Sequence, residues 1–166
     1  MNAIKTLLLV TIFTLGFTQV NAQSKVAHIN TDQLMAAMPE TKALNAKLEK
    51  LGKTYDDEVK AKEAELQAKF KKYNAEFKTQ TEETNKQRTA EVQADAKKIE
   101  QYKAEAMKDL QKQQNDGLKP IIDKAMKAIE DVAAAQGYDY VLNASTLVVA
   151  KGKDLLPDVK AKLGIQ

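Results

Sequence analysis

Residues 41–116 read TKALNAKLEKLGKTYDDEVKAKEAELQAKFKKYNAEFKTQTEETNKQRTAEVQADAKKIEQYKAEAMKDLQKQQND. This run holds one glycine (Gly52), no proline and about 40% charged residues, yet it keeps an apolar stripe. Such a composition cannot close a globular core, but it suits long exposed helices paired along a narrow seam. The stripe runs Leu44, Leu48, Leu51, Tyr55, Val59, Leu66, Phe70, Tyr73, Phe77, mostly in steps of three or four that line one helix face. One turn is skipped at Lys62, and counting it the period is about 3.67 residues per turn, which does not sustain a left-handed supercoil. The expectation is a gently splayed arm, not a strict heptad rope.

A single helix over this run would be roughly 110 Å long. The stripe fades in Thr79-Gln80-Thr81-Glu82-Glu83-Thr84-Asn85 and resumes at Val92, Ala96, Ile99, Tyr102 or Lys103, Ala106 and Leu110. Folding back near Glu82 opposes Tyr73 to Val92, Leu66 to Ile99 and Tyr55 to Leu110, pairs whose numbers all sum to 165. The spacing therefore predicts an antiparallel hairpin arm over residues 40–116 with its tip near 79–85, although no Gly or Pro marks a turn there.

Strand signals flank this arm. Lys25–Asn30 has the length and β-branched content of a strand, and Thr31 or Asp32 can cap a short helix ending before Pro39. Gly117–Gln136 reads as a separate helix with a broad apolar face (Leu118, Ile121, Ile122, Ala125, Met126, Ile129, Val132, Ala133), with Pro120 near its entry and Gly137 as its stop. Tyr138–Ala144 and Leu147–Ala150 read as two strands joined by a tight turn, and residues 154–163 as a last helix with Pro157 in its first turn. The fold class is α+β, mostly α: a small β body from residues 23–39 and 117–166 bearing a long helical hairpin. A body that small leaves sheet edges open, so self-association through Val26, Ile29, Tyr140, Val141, Leu142, Leu147, Val148 and Val149 is expected.

Residues 1–22 read as an export leader: Lys5 supplies a positive start, Thr6–Phe17 an apolar run too short for a bilayer, and Val20-Asn21-Ala22 a cleavage signal after Ala22. Removing Lys5 from the net charge of +3 leaves +2 on residues 23–166, a balance that does not favour nucleic acid. Without cysteine, an exported chain must draw stability from packing or oligomerisation.

Catalytic motifs are weak. Gly52-Lys53-Thr54 ends like a phosphate-binding loop, but Lys47 stands where the first glycine belongs and the match lies inside a helix. His28 is the only histidine, with no Cys or second His to form a metal or nucleophile site, and reads as structural. Asp56-Asp57-Glu58 and Glu82-Glu83 lie on exposed helix with no environment to split their pKa values. No enzyme activity and no cofactor are expected.

KVAHINTDQLMAAMPE (residues 25–40), a charged helical hairpin, LKPIIDKAMKAIEDVAAAQGYDYVLNAS (118–145) and DLLPDVKAKLG (154–164), in that order, resemble the Skp (OmpH-like) periplasmic chaperones. The resemblance covers residues 23–166 and implies a trimer built on the β body. Its helical arms would enclose unfolded outer-membrane β-barrel proteins without nucleotide. Better-known members carry strongly basic arm tips, whereas Glu82 and Glu83 here accompany Lys78, Lys86 and Arg88, so contact with a membrane surface or lipopolysaccharide is expected to be weak at most.

The arm carries its densest basic region, Lys69, Lys71, Lys72, Lys78, Lys97 and Lys98, beside Leu66, Phe70, Tyr73, Phe77 and Val92. These eleven residues are the candidate client-binding lining: scattered ammonium groups and small apolar patches suit weak multivalent capture of an unfolded chain. Two other readings stand beside it. The aromatics can be spent in the seam between the helices, and the hairpin can be a scaffold that docks one folded envelope partner.

Overall fold

The computed structural model describes residues 24–165, so the leader lies outside the described residues. Strand β1 (Val26–Ile29) leads to helix α1 (Thr31–Ala37), which Asn30 caps by accepting the Gln33 amide at 2.9 Å. Met38, extended because Pro39 follows it, separates α1 from α2 (Pro39–Glu76). A single 3₁₀ turn, Phe77–Thr79, and extended Gln80 reverse the chain. Helix α3 (Glu82–Gln136) then returns the whole way to the body, followed by β2 (Tyr140–Asn143), β3 (Lys153–Asp154) and α4 (Leu156–Lys162).

The hairpin stands as the periodicity predicts. Tyr55–Asp109, Lys69–Asp95, Tyr73–Glu91, Glu76–Arg88 and Glu40–Lys124 are cross-arm partners whose numbers each sum to 164, one from the expected 165. The tip needs neither Gly nor Pro. Thr81 accepts the Thr84 amide at 3.2 Å, and Glu82 and Glu83 set carboxylates in the first turn of α3, so these residues open a helix instead of forming a loop.

Two expectations fail. Gly117–Gln136 is no separate helix, because α3 continues unbroken for 55 residues. Gly117 lacks a positive φ; a Cβ there would strike the Leu44 side chain, so this glycine lets α2 press against α3 at the base of the arm. Pro120 sits within the helix, where its missing N–H leaves the Asp116 carbonyl without its usual partner on an exposed side. Gly137 (φ 69°) does end α3, with the Tyr138 amide closing on the Ala133 carbonyl at 2.9 Å.

The second failure is Leu147–Ala150, which forms no strand. Asn143 accepts the Ser145 amide at 3.2 Å and bends the chain into a 3₁₀ turn, so no hairpin with β2 forms. The third strand lies instead at Lys153–Asp154, and the sheet runs β2-β1-β3 with both neighbours parallel to β1. His28 Nε2 donates across this joint to the Gly152 carbonyl at 3.1 Å, a structural role. Asp154 also accepts the Leu156 amide at 2.9 Å, starting α4 where no hydroxyl cap exists.

Alternation along β1 sends Ala27 and Ile29 inward onto α3. There Ile121, Ala125, Ala128, Ile129, Val132 and Ala133 form the buried face, the alanines letting the sheet approach closely. Leu34, Met38, Leu155 and Val159 complete this core at no measurable exposure. The register pairs Val26 with Tyr140 and His28 with Leu142 on the opposite sheet face, where Val26, Tyr140 and Leu142 are exposed. Of the residues expected to mediate self-association, Ile29 is therefore spent inside the chain's own core and Val141 packs against it. Val148 and Val149 are bare, and Leu147 is half-buried.

Candidate functional site

The arm is stitched by polar rungs more than by apolar packing. Only Leu44, Ile99 and Ala106 are buried among its apolar side chains. Three tyrosines donate across the gap: Tyr55 to Asp109 at 2.8 Å, Tyr73 to Glu91 at 2.8 Å, and Tyr102 to Glu58. Lys103 pairs with Glu63 at 2.8 Å, and Tyr55 meets Tyr102 edge-on with centroids 6.1 Å apart. Charged and phenolic groups can tie two wet helices together where a narrow stripe cannot.

Protonation is biased accordingly. The hydrogen bond to Glu58 pushes the Tyr102 phenol up to about 12, and Asp109 and Glu91 raise Tyr55 and Tyr73 in the same way. Lys69 holds Glu91 and Asp95 below their ordinary values, and their hydrogen bonds raise Lys69 in turn. Carboxylates with lowered pKa lend stability that is present above the ordinary range near pH 4 and lost as pH falls below it. Phenols with raised pKa lend stability that is complete below about pH 10 and lost on rising towards 12. The thermal midpoint followed by circular dichroism is therefore expected to be flat from about pH 5 to 9 and to fall on both sides. Tyr55→Phe, Tyr73→Phe and Tyr102→Phe combined should flatten the alkaline limb; an unchanged limb would show that the rungs contribute nothing.

Near the tip, Lys69 bridges Glu91 (2.7 Å) and Asp95, Lys98 also reaches Asp95 (3.0 Å), and Arg88 pairs with Glu76 at 2.7 Å while stacking over the Tyr73 ring at 4.5 Å. Beside the Arg88–Tyr73 stack a groove of about 360 Å³ opens between the helices. Phe70, Tyr73, Phe77 and Val92 all line it, so four of the five apolar candidates converge there. Leu66 lies one step nearer the body, beside Ile99 in a groove of mixed charge.

Phe70 and Phe77 are each 57% exposed, whereas Tyr73 reaches across the seam to Glu91. Of the six candidate lysines, Lys69 and Lys98 are committed to carboxylates, whereas Lys71, Lys72, Lys78 and Lys97 form no ion pair among the described residues. Lys72 stands two residues from Phe70, about 200° around α2, and so behind the groove. Sequence reasoning missed Arg88 and the polar rim of Asn74, Asn85, Thr89 and Gln93. Arg88 and Val92, four apart, were the available signal for a shared helix face.

Comparison with known proteins fits this architecture. The profile of the family described as outer membrane protein (OmpH-like) matches residues 25–163. The chain belongs to the OmpH-like family. No curated protein matches it. Among solved structures, a candidate outer membrane chaperone (OmpH-like) from Caulobacter crescentus CB15 superposes with a TM-score of 0.77 at 20% identity, over 89% of this chain and 88% of that one. At that identity the likeness is one of fold. The OmpH-like chain described above thus shares a small sheet and a long helical arm with a protein of very different sequence.

Proposed function

We propose that the protein is an ATP-independent periplasmic holdase that captures unfolded outer-membrane β-barrel proteins between its arms and keeps them from aggregating. The observation that carries this reading is the pair of exposed phenylalanines, Phe70 and Phe77, on a stiff arm beside lysines that form no ion pair among the described residues. A monomeric soluble chain gains nothing from such exposure unless something covers it. Family membership and the outer membrane chaperone of like fold support the same direction.

Capture between arms requires more than one arm. The uncovered sheet face of Val26, Tyr140 and Leu142, with Val148 and Val149 beside it, supports self-association through the body, which we take to be a homotrimer. Individual exposed charge contacts contribute only about 0–1 kcal/mol each, so many of them can hold a client without fixing its conformation.

The test dilutes a urea-unfolded β-barrel protein into the protein beginning at Gln23 and follows light scattering. Aggregation is expected to be suppressed at near-stoichiometric ratio, less completely in high salt but not abolished there. Unaltered scattering would replace the holdase with a scaffold for a folded partner, and suppression identical at low and high salt would remove the lysines from the mechanism.

A further inference from the structure

The distal arm is electrostatically lopsided. Residues 67–98 carry eight cationic side chains and five carboxylates, a net charge of +3. Three of these carboxylates are consumed internally, Glu76 by Arg88 and Glu91 and Asp95 by Lys69, while Glu82 and Glu83 stand in the first turn of α3. The cations left over, apart from Lys72, fall in a pattern around the groove. On α2, Lys71 stands three before the rim residue Asn74, on its stripe of the helix, and Lys78 lies in the 3₁₀ turn that follows, beside Phe77 of the groove. On α3, Lys86 and Lys97 stand seven before and four after the rim residue Gln93. None of these four forms an ion pair among the described residues.

The groove between them has apolar walls at Phe70, Phe77 and Val92, and its rim is uncharged amide and hydroxyl. Arg88, the one cation lining it, gives Nη2 to Glu76 and has its face covered by Tyr73, while its buried Nη1 has no partner among the described residues. The apolar walls therefore favour an uncharged ring, the rim amides suit a peptide backbone, and the outer lysines together with Arg88 Nη1 call for an acceptor of negative charge.

We propose that this groove is a recognition site for an extended peptide segment in which an aromatic residue is flanked closely by carboxylates. The ring enters between Phe70 and Phe77, and the carboxylates reach Lys71, Lys78, Lys86 and Lys97. This rests on the holding function proposed above and gives it a chemical preference: a chain enters each arm at its acidic aromatic stretches, and basic stretches slide past.

The chain contains no tryptophan, so a short peptide bearing Asp-Trp-Asp reports its own binding by Trp emission. Wild-type protein is expected to bind it with a blue shift and to bind the Lys-Trp-Lys counterpart roughly tenfold more weakly, as a few exposed charge contacts allow. Phe70→Ala with Phe77→Ala should weaken the acidic peptide roughly tenfold, as loss of aromatic anchors does. Lys71→Gln, Lys78→Gln, Lys86→Gln and Lys97→Gln combined should abolish the preference between the two peptides. These are surface positions, and Met107→Ala, an equally bare site at 72% exposure, should change nothing. Equal affinity for both peptides, full affinity in the double alanine variant, or tighter binding of a single-stranded oligonucleotide than of the acidic peptide overturns the assignment. Suppressed aggregation without peptide preference sinks the groove and leaves the holdase; peptide preference without suppressed aggregation sinks the holdase and leaves the groove.

Discussion

Leu34→Ala is expected to lower the unfolding free energy by about 2–5 kcal/mol, the largest single-residue loss in the protein. Leu34 has no measurable exposure and lies in the cluster that joins β1, α1, α3 and α4, with Ile29, Met38, Leu155 and Val159. The surrounding helices are held by the sheet on one side and by α4 on the other, so the vacated space cannot collapse fully. Urea unfolding followed at the helical dichroism band would read the loss. The same truncation at half-buried Leu66 should cost less than half as much, because water already reaches that side chain. Equal losses at the two sites would mean that the arm, and not the body, is the seat of stability.

The second large effect concerns assembly. Tyr140→Asp with Leu142→Asp is expected to convert the proposed trimer to monomer in sedimentation, with association weakened at least a hundredfold. Both residues lie on the outward face of β2 beside Val26 of β1, at 59%, 44% and 47% exposure in the single chain. Covering them with another copy would bury apolar area, and two carboxylates there would have to be desolvated without partners, at a cost of several kcal/mol. Because these positions are exposed in the chain itself, its own fold should survive, and an unchanged helical dichroism would verify that. An unaltered sedimentation coefficient would move the interface elsewhere on the body.

The arm was legible because its determinants are local. A stripe of three- and four-residue steps fixes a helix face, and the need to oppose two such stripes fixes the register, which came within one residue at Tyr73, Lys69 and Tyr55. Tertiary context decided what remained. Gly117 was read as the start of a separate helix, but the contact that requires a glycine there comes from Leu44 on α2. The Leu147–Ala150 run had the composition of a strand, yet strand formation needs a free neighbouring edge, and Asn143 turns the chain away before one is reached. Lys153–Asp154 pairs with β1 despite poor propensity, since the neighbouring Leu155 must reach the core and its amide bonds the His28 carbonyl at 2.9 Å. At the groove, sequence named the aromatics and most of the lysines, but it could not divide paired cations from free ones. That division depends on which carboxylate faces which lysine across the gap.

The unbroken course of α3 has a mechanical consequence. A shaft of 55 residues, about 80 Å from end to end, is anchored at its base by Gly137 and the first residues of β2. A rocking of the base by only about 5° swings the far end through about 7 Å over that length. In the proposed trimer, small adjustments among subunits at the hub would thus widen or narrow the mouth considerably, letting one rigid strut accommodate cargo of different girths.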